Sequence, residues 1–534
     1  MGVAGVISEL TQEVARRRTF AIISHPDAGK TTITEKLLFH GGAIRETGEV
    51  KGKAGTKAAT SDWMALEQER GVSITSSVMQ FDYDDLRINL LDTPGHKDFG
   101  EDTYRTLMAA DSAAMLIDAA KGVEKQTRKL FEVCKLRKMP IFTFANKMDR
   151  EGKDPLELID DVENTLGIKC VPITWPIGMG DRFRGLYHLT EKKVFLYEKG
   201  SIDPVILDVE GFRDEKLKDV VPWAEVYEKF IEDLELLELA VGDFDQEEFL
   251  LGLITPLTFG SAKNNWGVDL FLHQFSKWAP APTQRETDQG MVEPDDSGFS
   301  GFIFKIQANM DKRHRDRIAF IRICSGKFER GMKVRHQRLG RELRLSYASQ
   351  FMAQDRDTVD IAYAGDIVGI VDTGNFQIGD TITSGKKFQF GELPRFSPEL
   401  FASLFIKDPL KKKQLQKGVQ QLSEEGAIQI FFDPVVGEQE PIIGVVGELQ
   451  FEVLLYRLND EYNLDVRLDR LPYSVARWPK LNGQLFEGEV KGASRRYHDK
   501  FGHQVCLLER EWDVGWLQKE NPGLEFDVTA YTQS

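Results

Sequence analysis

At 534 residues, 41% of them hydrophobic and 29% charged, the chain has an ordinary globular composition and too much length for one core, so roughly three or four domains are expected. A formal net charge of −16 excludes a uniformly basic nucleic-acid coat while leaving room for local basic patches. The four cysteines (Cys134, Cys170, Cys324, Cys506) are scattered and form no CxxC pair, which predicts buried free thiols in a reducing compartment and argues against a disulfide or zinc framework. With no apolar run long enough to span a bilayer and no signal-peptide core, a cytoplasmic protein without membrane contact is expected.

The first predicted element is an apolar strand, Thr19–Ser24. It feeds the loop Ser24-His25-Pro26-Asp27-Ala28-Gly29-Lys30-Thr31, and a helix is expected to open near Lys30. Backbone N–H groups of such a loop, with the positive end of the helix behind them, form a cradle for a polyphosphate. The candidate phosphate-binding residues are therefore Ser24, His25, Pro26, Asp27, Ala28, Gly29, Lys30, Thr31 and Thr32. Lys30 would reach the β- and γ-phosphates, and the Thr31 hydroxyl would ligate Mg²⁺. Ser24 stands where this motif usually begins with glycine.

A Gly-rich, charged stretch over 41–75 follows, ending in Glu69-Arg70-Gly71-Val72-Ser73-Ile74-Thr75. A mobile segment of this kind would bring the Ser73 hydroxyl onto Mg²⁺ while a γ-phosphate is present and let it go after hydrolysis. The competing reading is a flexible surface loop. Residues 76–92 predict a hairpin, whose second strand, Leu86–Asp92, runs into Asp92-Thr93-Pro94-Gly95-His96. Asp92, at a strand's carboxyl end, would hold Mg²⁺ through a water, and the Gly95 amide would approach the γ-phosphate.

Strands Ser112–Ala119 and Pro140–Asn146 come next, with a helical pattern over 123–138 between them. The second of these strands ends in Asn146-Lys147-Met148-Asp149. The Asp149 carboxylate can accept hydrogen bonds from both N1–H and N2–H₂ of guanine, each worth roughly 1.5–3 kcal/mol, and adenine offers no such pair of donors. Asn146 would brace the neighbouring loop or touch N7, and the Lys147 stem would lie over the purine face. The last sheet strand, Leu257–Ser261, leads into Ser261-Ala262-Lys263, whose backbone would meet guanine O6. Residues 168–255 predict an insertion, with a hairpin near Lys193–Glu198 and helices near Ala224–Leu239 and Gln246–Leu253.

Alternating strands and helices over 1–283 predict an α/β domain with a largely parallel sheet covered on both faces. A polar, Pro-bearing boundary gives a linker over 284–298. Short alternating runs separated by turns over 299–392 predict an antiparallel β-barrel. From 393 to 534 the order β-α-β-β-α-β predicts a ferredoxin-like α+β domain, with a C-terminal extension whose topology the pattern leaves open. Lys312-Arg313-His314-Arg315 and Lys411-Lys412-Lys413 are candidate RNA contacts, although such runs are more often solvated surface.

Taken together, DTPGH, RGVSI and NKMD resemble the ribosome-activated translational GTPases of the elongation-factor-like family, since signalling GTPases usually carry Gln where His96 stands. The stretches SHPDAGKTTITEK, SDWMALEQERGVSITSSVMQF and LLDTPGHKDFGEDTYRTL narrow the resemblance to the termination branch of that family. It implies a P-loop GTPase domain, GTP/GDP and Mg²⁺ as ligands, and His96 as the catalytic residue that positions the attacking water. It further implies activation by ribosomal RNA near the sarcin–ricin loop, contact with ribosomal proteins, and action by a monomer on the stop-codon-reading release factors, which would be ejected after peptide release. The absence of a recognisable arginine finger in the sequence fits activation in trans. Ser73 departs from the Thr that most of the family uses. Two alternatives stand beside this reading. A translocase-like or ribosome-protection GTPase would need further domains beyond Gln450, for which too few residues follow. A non-hydrolysing GTP-dependent binding module would use the same nucleotide residues.

Overall fold

Continuous apolar runs with no polar face are built to be covered on both sides, and the first domain uses them so. A computed structural model describes residues 8–44, 67, 73–198, 203–240, 242–308, 317–345, 348–352, 355–391, 393, 395–437, 440–493 and 495–529. Its main sheet has seven strands in the order Ser77–Tyr83, Leu86–Asp92, Arg17–Ser24, Ser112–Asp118, Ile141–Asn146, Ile254–Phe259, Lys169–Pro172. Only the first pair is antiparallel, which is the expected hairpin over 76–92. Successive residues of one strand serve opposite faces. Phe20, Ile22, Leu90 and Leu116 pack with Ile33, Leu37, Phe271 and Phe275 of the helices Lys30–His40 and Val268–Trp278. Ala21, Ile23, Leu91 and Met115 pack on the other face with Leu107, Leu130, Phe131 and Leu158.

The segment 168–255 is less separate than its sequence suggests. Lys169–Pro172 pairs in parallel with Ile254–Phe259 and so closes the edge of the main sheet. Between these two strands lie a four-stranded antiparallel sheet (Thr174–Ile177, Gly185–His188, Lys193–Leu196, Val205–Asp208) and the helices Lys216–Val220, Ala224–Ala240 and Gln246–Leu250. The expected strand Leu257–Ser261 stops at Phe259. The chain turns at Gly260, where an ideal Cβ would sit 2.2 Å from the Trp266 carbonyl oxygen. The linker holds a small hairpin, Arg285–Thr287 with Gly290–Val292.

The second domain is an antiparallel half-barrel of eight strands, running from Arg341–Arg344 through Ser300–Ala308 and Arg317–Ser325 to Asp355–Thr358. It encloses a core that includes Ile303, Ile321, Phe328, Val368 and Ile382. The third domain has strand order Val466–Leu471, Leu400–Ile406, Ile442–Val445, Gln429–Phe432, the 4-1-3-2 order of a ferredoxin-like sheet. Helices Lys412–Glu424 and Glu448–Asp460 cover one face. The C-terminal extension prolongs this sheet: Tyr497–Asp499 pairs with Gln429–Phe432, followed outward by Gln504–Leu508 and Val475–Leu481. Among the described residues no helix is long and apolar enough to cross a membrane, and all four cysteines are buried free thiols.

Candidate functional site

Parallel strands place their carboxyl ends along one edge of a sheet, and open α/β sheets bind ligands there. Ser24, Asp92, Asp118 and Asn146 end four such strands. From Ser24 the chain turns through His25–Gly29 into the helix Lys30–His40. Asp27 and Gly29 both take positive φ, 65° and 101°, which curls the loop so that its amides can face inward. Gly29 is required twice over. Its φ favours glycine, and an ideal Cβ would lie 2.2 Å from Asn146 Nδ2.

Lys30 runs back beneath the loop and is almost fully buried. Its Nζ donates to Asp92 Oδ1 at 2.6 Å and to Ser73 Oγ at 3.3 Å. The Thr31 and Ser73 hydroxyls are 3.4 Å apart. Residues from the phosphate loop, the segment after 72 and the Asp92 strand thus converge on one point. Asp92 Oδ2, also buried, has no hydrogen-bond partner among the described residues. A buried carboxylate oxygen left in this state calls for a cation or a water. Gly95 packs against the loop, with its ideal Cβ position 3.4 Å from Pro26 Cα. The stretch Glu69–Val72 lies outside the described residues. Glu67, fully buried, receives the Ile74 and Thr75 amides on Oε1 at 2.9 and 3.1 Å and so anchors the chain just after Ser73.

His96 is about one-third exposed at the rim. Its Nδ1 accepts from the Asp98 backbone N–H at 3.2 Å. A neutral ring held in this way carries its proton on Nε2 and presents a donor to whatever lies beyond it.

The guanine-site candidates are joined by hydrogen bonds to the phosphate loop. Asn146 donates to the Ala28 carbonyl at 2.8 Å, and its Oδ1 accepts from the Lys147 and Ala262 amides at 2.9 and 2.8 Å. Of the two roles open to it, bracing is the one these contacts fill. Lys147 sends Nζ to the Asp27 carbonyl at 2.5 Å and to Asp118 Oδ2 at 2.8 Å, laying its stem along the loop. Ser261 Oγ donates to Asp149 Oδ1 at 2.6 Å. Lys263 is exposed, while Thr32 is half-buried on the helix.

Some residues of this site escape a motif search. Asp118 is one. Burial pushes its carboxyl up, but the Lys147 hydrogen bond and the Ala120 amide outweigh that and hold it below the usual carboxylate range. Its signal was present as a carboxylate ending an almost wholly apolar strand, Ser112–Asp118. Glu124 is another, with Oε2 3.3 Å from His25 Nε2. Of the basic runs, Lys412 opens the Lys412–Glu424 helix, and Lys411 Nζ donates to the Asn463 carbonyl at 2.7 Å; Lys312–Arg315 lies outside the described residues.

Comparison with known proteins matches this geometry to families. Residues 15–281 fit the elongation factor Tu GTP binding domain, 298–385 fit elongation factor G domain 2, and 390–518 fit the class II release factor RF3 C-terminal domain. The peptide chain release factor 3 of Symbiobacterium thermophilum is 52% identical, covering 98% of this chain and 99% of its own. That of Listeria monocytogenes serovar 1/2a is also 52% identical, over 97% and 98%. That of Acaryochloris marina is 51% identical, over 98% and 97%. A solved structure, ttk003000868 from Thermus thermophilus, superposes with a TM-score of 0.70 at 24% identity, covering 91% of this chain and 72% of that one, and shares the fold.

Proposed function

The chain belongs to the peptide chain release factor 3 family, translational GTPases of termination that bind guanine nucleotide, and we propose that it hydrolyses GTP on the ribosome to drive dissociation of stop-codon-reading release factors after peptide release. What carries this reading is the meeting of Lys30, Thr31, Ser73 and Asp92 at one point, with His96 beside it. Lys30 would leave Asp92 for the β- and γ-phosphates. Mg²⁺ fits there, because Asp92 Oδ2 has no partner among the described residues, Lys30 Nζ bridges Asp92 and the Ser73 hydroxyl, and the Thr31 hydroxyl is 3.4 Å from that of Ser73. Held by Thr31, Ser73 and, through water, Asp92, the ion would neutralise charge on the phosphates. The backbone N–H groups of Ser24–Thr32 other than Pro26, which has none, and the Gly95 amide would line the same phosphates, and Asp149 would read the guanine edge with the Ser261–Lys263 backbone beside it.

Asp92, Gly95 and His96 share one short loop, so loss of the γ-phosphate at Gly95 would be felt at His96 and at Ser73. That change would release the factor from the ribosome. His96 would orient the attacking water once ribosomal RNA near the sarcin–ricin loop fixes its ring. The working form would be a cytoplasmic monomer.

His96→Ala should lower ribosome-stimulated phosphate release by about 10²-fold or more while GTP affinity stays within a few-fold. Normal multiple turnover in that variant would reject the role given to His96. The termination step itself is tested by following release-factor dissociation at a stop codon with GTP, GDP and a non-cleavable analogue. Dissociation that ignores the nucleotide would sink the reading. A non-hydrolysing binding module would show no ribosome-stimulated phosphate release even in the unaltered chain.

A further inference from the structure

Asp98, two residues beyond His96 and 3% exposed, faces two domains at once. On the first-domain side its backbone N–H donates to His96 Nδ1 at 3.2 Å, and its Oδ1 lies 3.5 Å from the same nitrogen. Across the domain boundary its Oδ2 accepts from the Leu449 backbone N–H at 2.9 Å. Leu449 lies in the first turn of the 13-residue helix Glu448–Asp460 of the third domain, whose free amides and dipole favour a carboxylate at that end. Gln450 Oε1 serves the Val446 and Gly447 amides just before the helix at 2.7 and 3.2 Å, while the Leu449 amide is given to Asp98.

Gly447 makes room for this contact. An ideal Cβ there would stand 2.0 Å from Asp98 Cγ. Its φ of −151° is open to any residue, so the demand for glycine at 447 is a demand for space, set by the carboxylate. The same helix also meets the segment after Ser73. Ile74 and Phe99 form a small apolar cluster with Val453, flanked by Leu449 and Tyr456. Alongside, the Tyr104 ring meets Phe396 edge-on at 4.7 Å. One helix of the third domain therefore touches both stretches of the first domain that would sense a γ-phosphate.

We propose that Asp98 is a positioning residue for hydrolysis, which fixes the His96 ring from its Nδ1 side only while the Glu448–Asp460 helix is seated on it, so that the seating of the third domain gates GTP hydrolysis. The inference rests on the role given to His96 above. With the helix seated, residue 98 holds the ring from its Nδ1 side and leaves Nε2 free of that contact. Lifting the helix removes the Leu449 amide from the carboxylate and unpins residue 98, and with it the backbone N–H that holds His96 Nδ1. Linkage makes the coupling reciprocal: a nucleotide state that reorders the Gly95–Asp98 loop must shift the seating of the third domain by the same free energy.

The test uses the full chain with ribosomes and compares Gly447→Ala, Asp98→Ala, Asp98→Asn and the double variant Asp98→Ala/Gly447→Ala. Gly447→Ala drives a methyl into the carboxylate. It should lower kcat for ribosome-stimulated hydrolysis roughly tenfold or more, with the KM for ribosomes and the affinity for GDP held within about twofold. Asp98→Ala should do the same. In the double variant the methyl enters vacated space, so the second change should add no further loss. Asp98→Asn keeps the shape and one acceptor for Leu449 and should fall between. Losses that multiply in the double variant, or a wild-type kcat in both single variants, overturn the proposal. If Gly447→Ala fails to bind GDP, and so to fold, Asp98→Asn decides, and an unchanged kcat there overturns it. Loss of hydrolysis in His96→Ala together with full activity in the Asp98 and Gly447 variants sinks this inference alone. Activity retained in His96→Ala sinks the reading beneath it.

Discussion

The Asp149 carboxylate, proposed as the reader of guanine, is held in place by its neighbours. Ser261 Oγ donates to its Oδ1 at 2.6 Å, and Ser261 is itself fixed by the paired backbone bonds with Trp266 at 2.9 Å. The acceptor edge is thereby aimed by a separate loop. Asp149→Asn keeps the shape and replaces an acceptor with a donor. GTP affinity should fall by roughly one to two orders of magnitude for each charge-assisted bond lost, and xanthosine triphosphate should become the better ligand. Competition binding against both nucleotides checks this, and an unaltered base preference would remove guanine from the site. At this scale the sequence was most readable where the chemistry is contiguous. Ser24–Thr32 and Asn146–Asp149 are each contiguous and start at a strand end, so spacing alone marked them as candidates. Asp118, Glu67 and Asp98 were not marked, because each works on a partner 7 to 351 positions away. Their contacts exist only after the strands are aligned.

Among elements, the phosphate loop shows how tightly one turn is tied to its neighbours. Gly29→Ala would force a side chain onto a φ of 101° and push against Asn146 Nδ2. Asn146 holds Ala28, Lys147 and Ala262 together, so its displacement loosens the phosphate and guanine loops at once. The strain alone should cost about 1–3 kcal/mol, and GDP affinity should drop by about tenfold or more, read by calorimetry. A variant that binds GDP as the unaltered chain does would show that the loop can relax around a methyl. Strand positions were legible because long apolar runs between turns leave few alternatives: Leu86–Asp92 is observed with the expected bounds. Short pieces were not. Lys169–Pro172 has four residues and no alternation, and only its parallel pairing with Ile254–Phe259 makes it a strand. Arg285–Thr287 is polar and hidden in a linker. The C-terminal extension owes its order to the free edge of Gln429–Phe432, which exists only once the ferredoxin-like sheet has formed.

Across the whole molecule, the first domain and the half-barrel are joined by buried charge as well as by apolar packing. Asp111 is fully buried. Its Oδ2 accepts from Arg322 Nη2 at 2.5 Å, and its Oδ1 from Arg285 Nη2 at 3.1 Å. Arg322, on the barrel strand Arg317–Ser325, donates from Nη1 to the Gly365 carbonyl at 2.7 Å, which also receives the Thr19 hydroxyl of the first domain. Arg17 reaches Asp366 at 3.1 Å, and Gln80 and Asn89 point amides at the same carboxylate. On the far side Glu425 takes both Arg457 and the Ala308 amide, so the barrel is held from two directions. A network of this kind fixes orientation more than it adds stability, because each charge has given up water. Removing one member is a different matter. Asp111→Ala leaves Arg322, 1% exposed, without its carboxylate. The cost should be about 3–5 kcal/mol in urea unfolding. Because the arginines it would free face the domain boundary, the loss should appear as an earlier, separate transition of the barrel, with the GDP-bound first domain unfolding later. A single transition shifted by less than about 1 kcal/mol would mean that the remaining contacts across this boundary, Arg17 with Asp366 and Thr19 with Gly365 among them, hold the barrel in place without the Asp111 pairs.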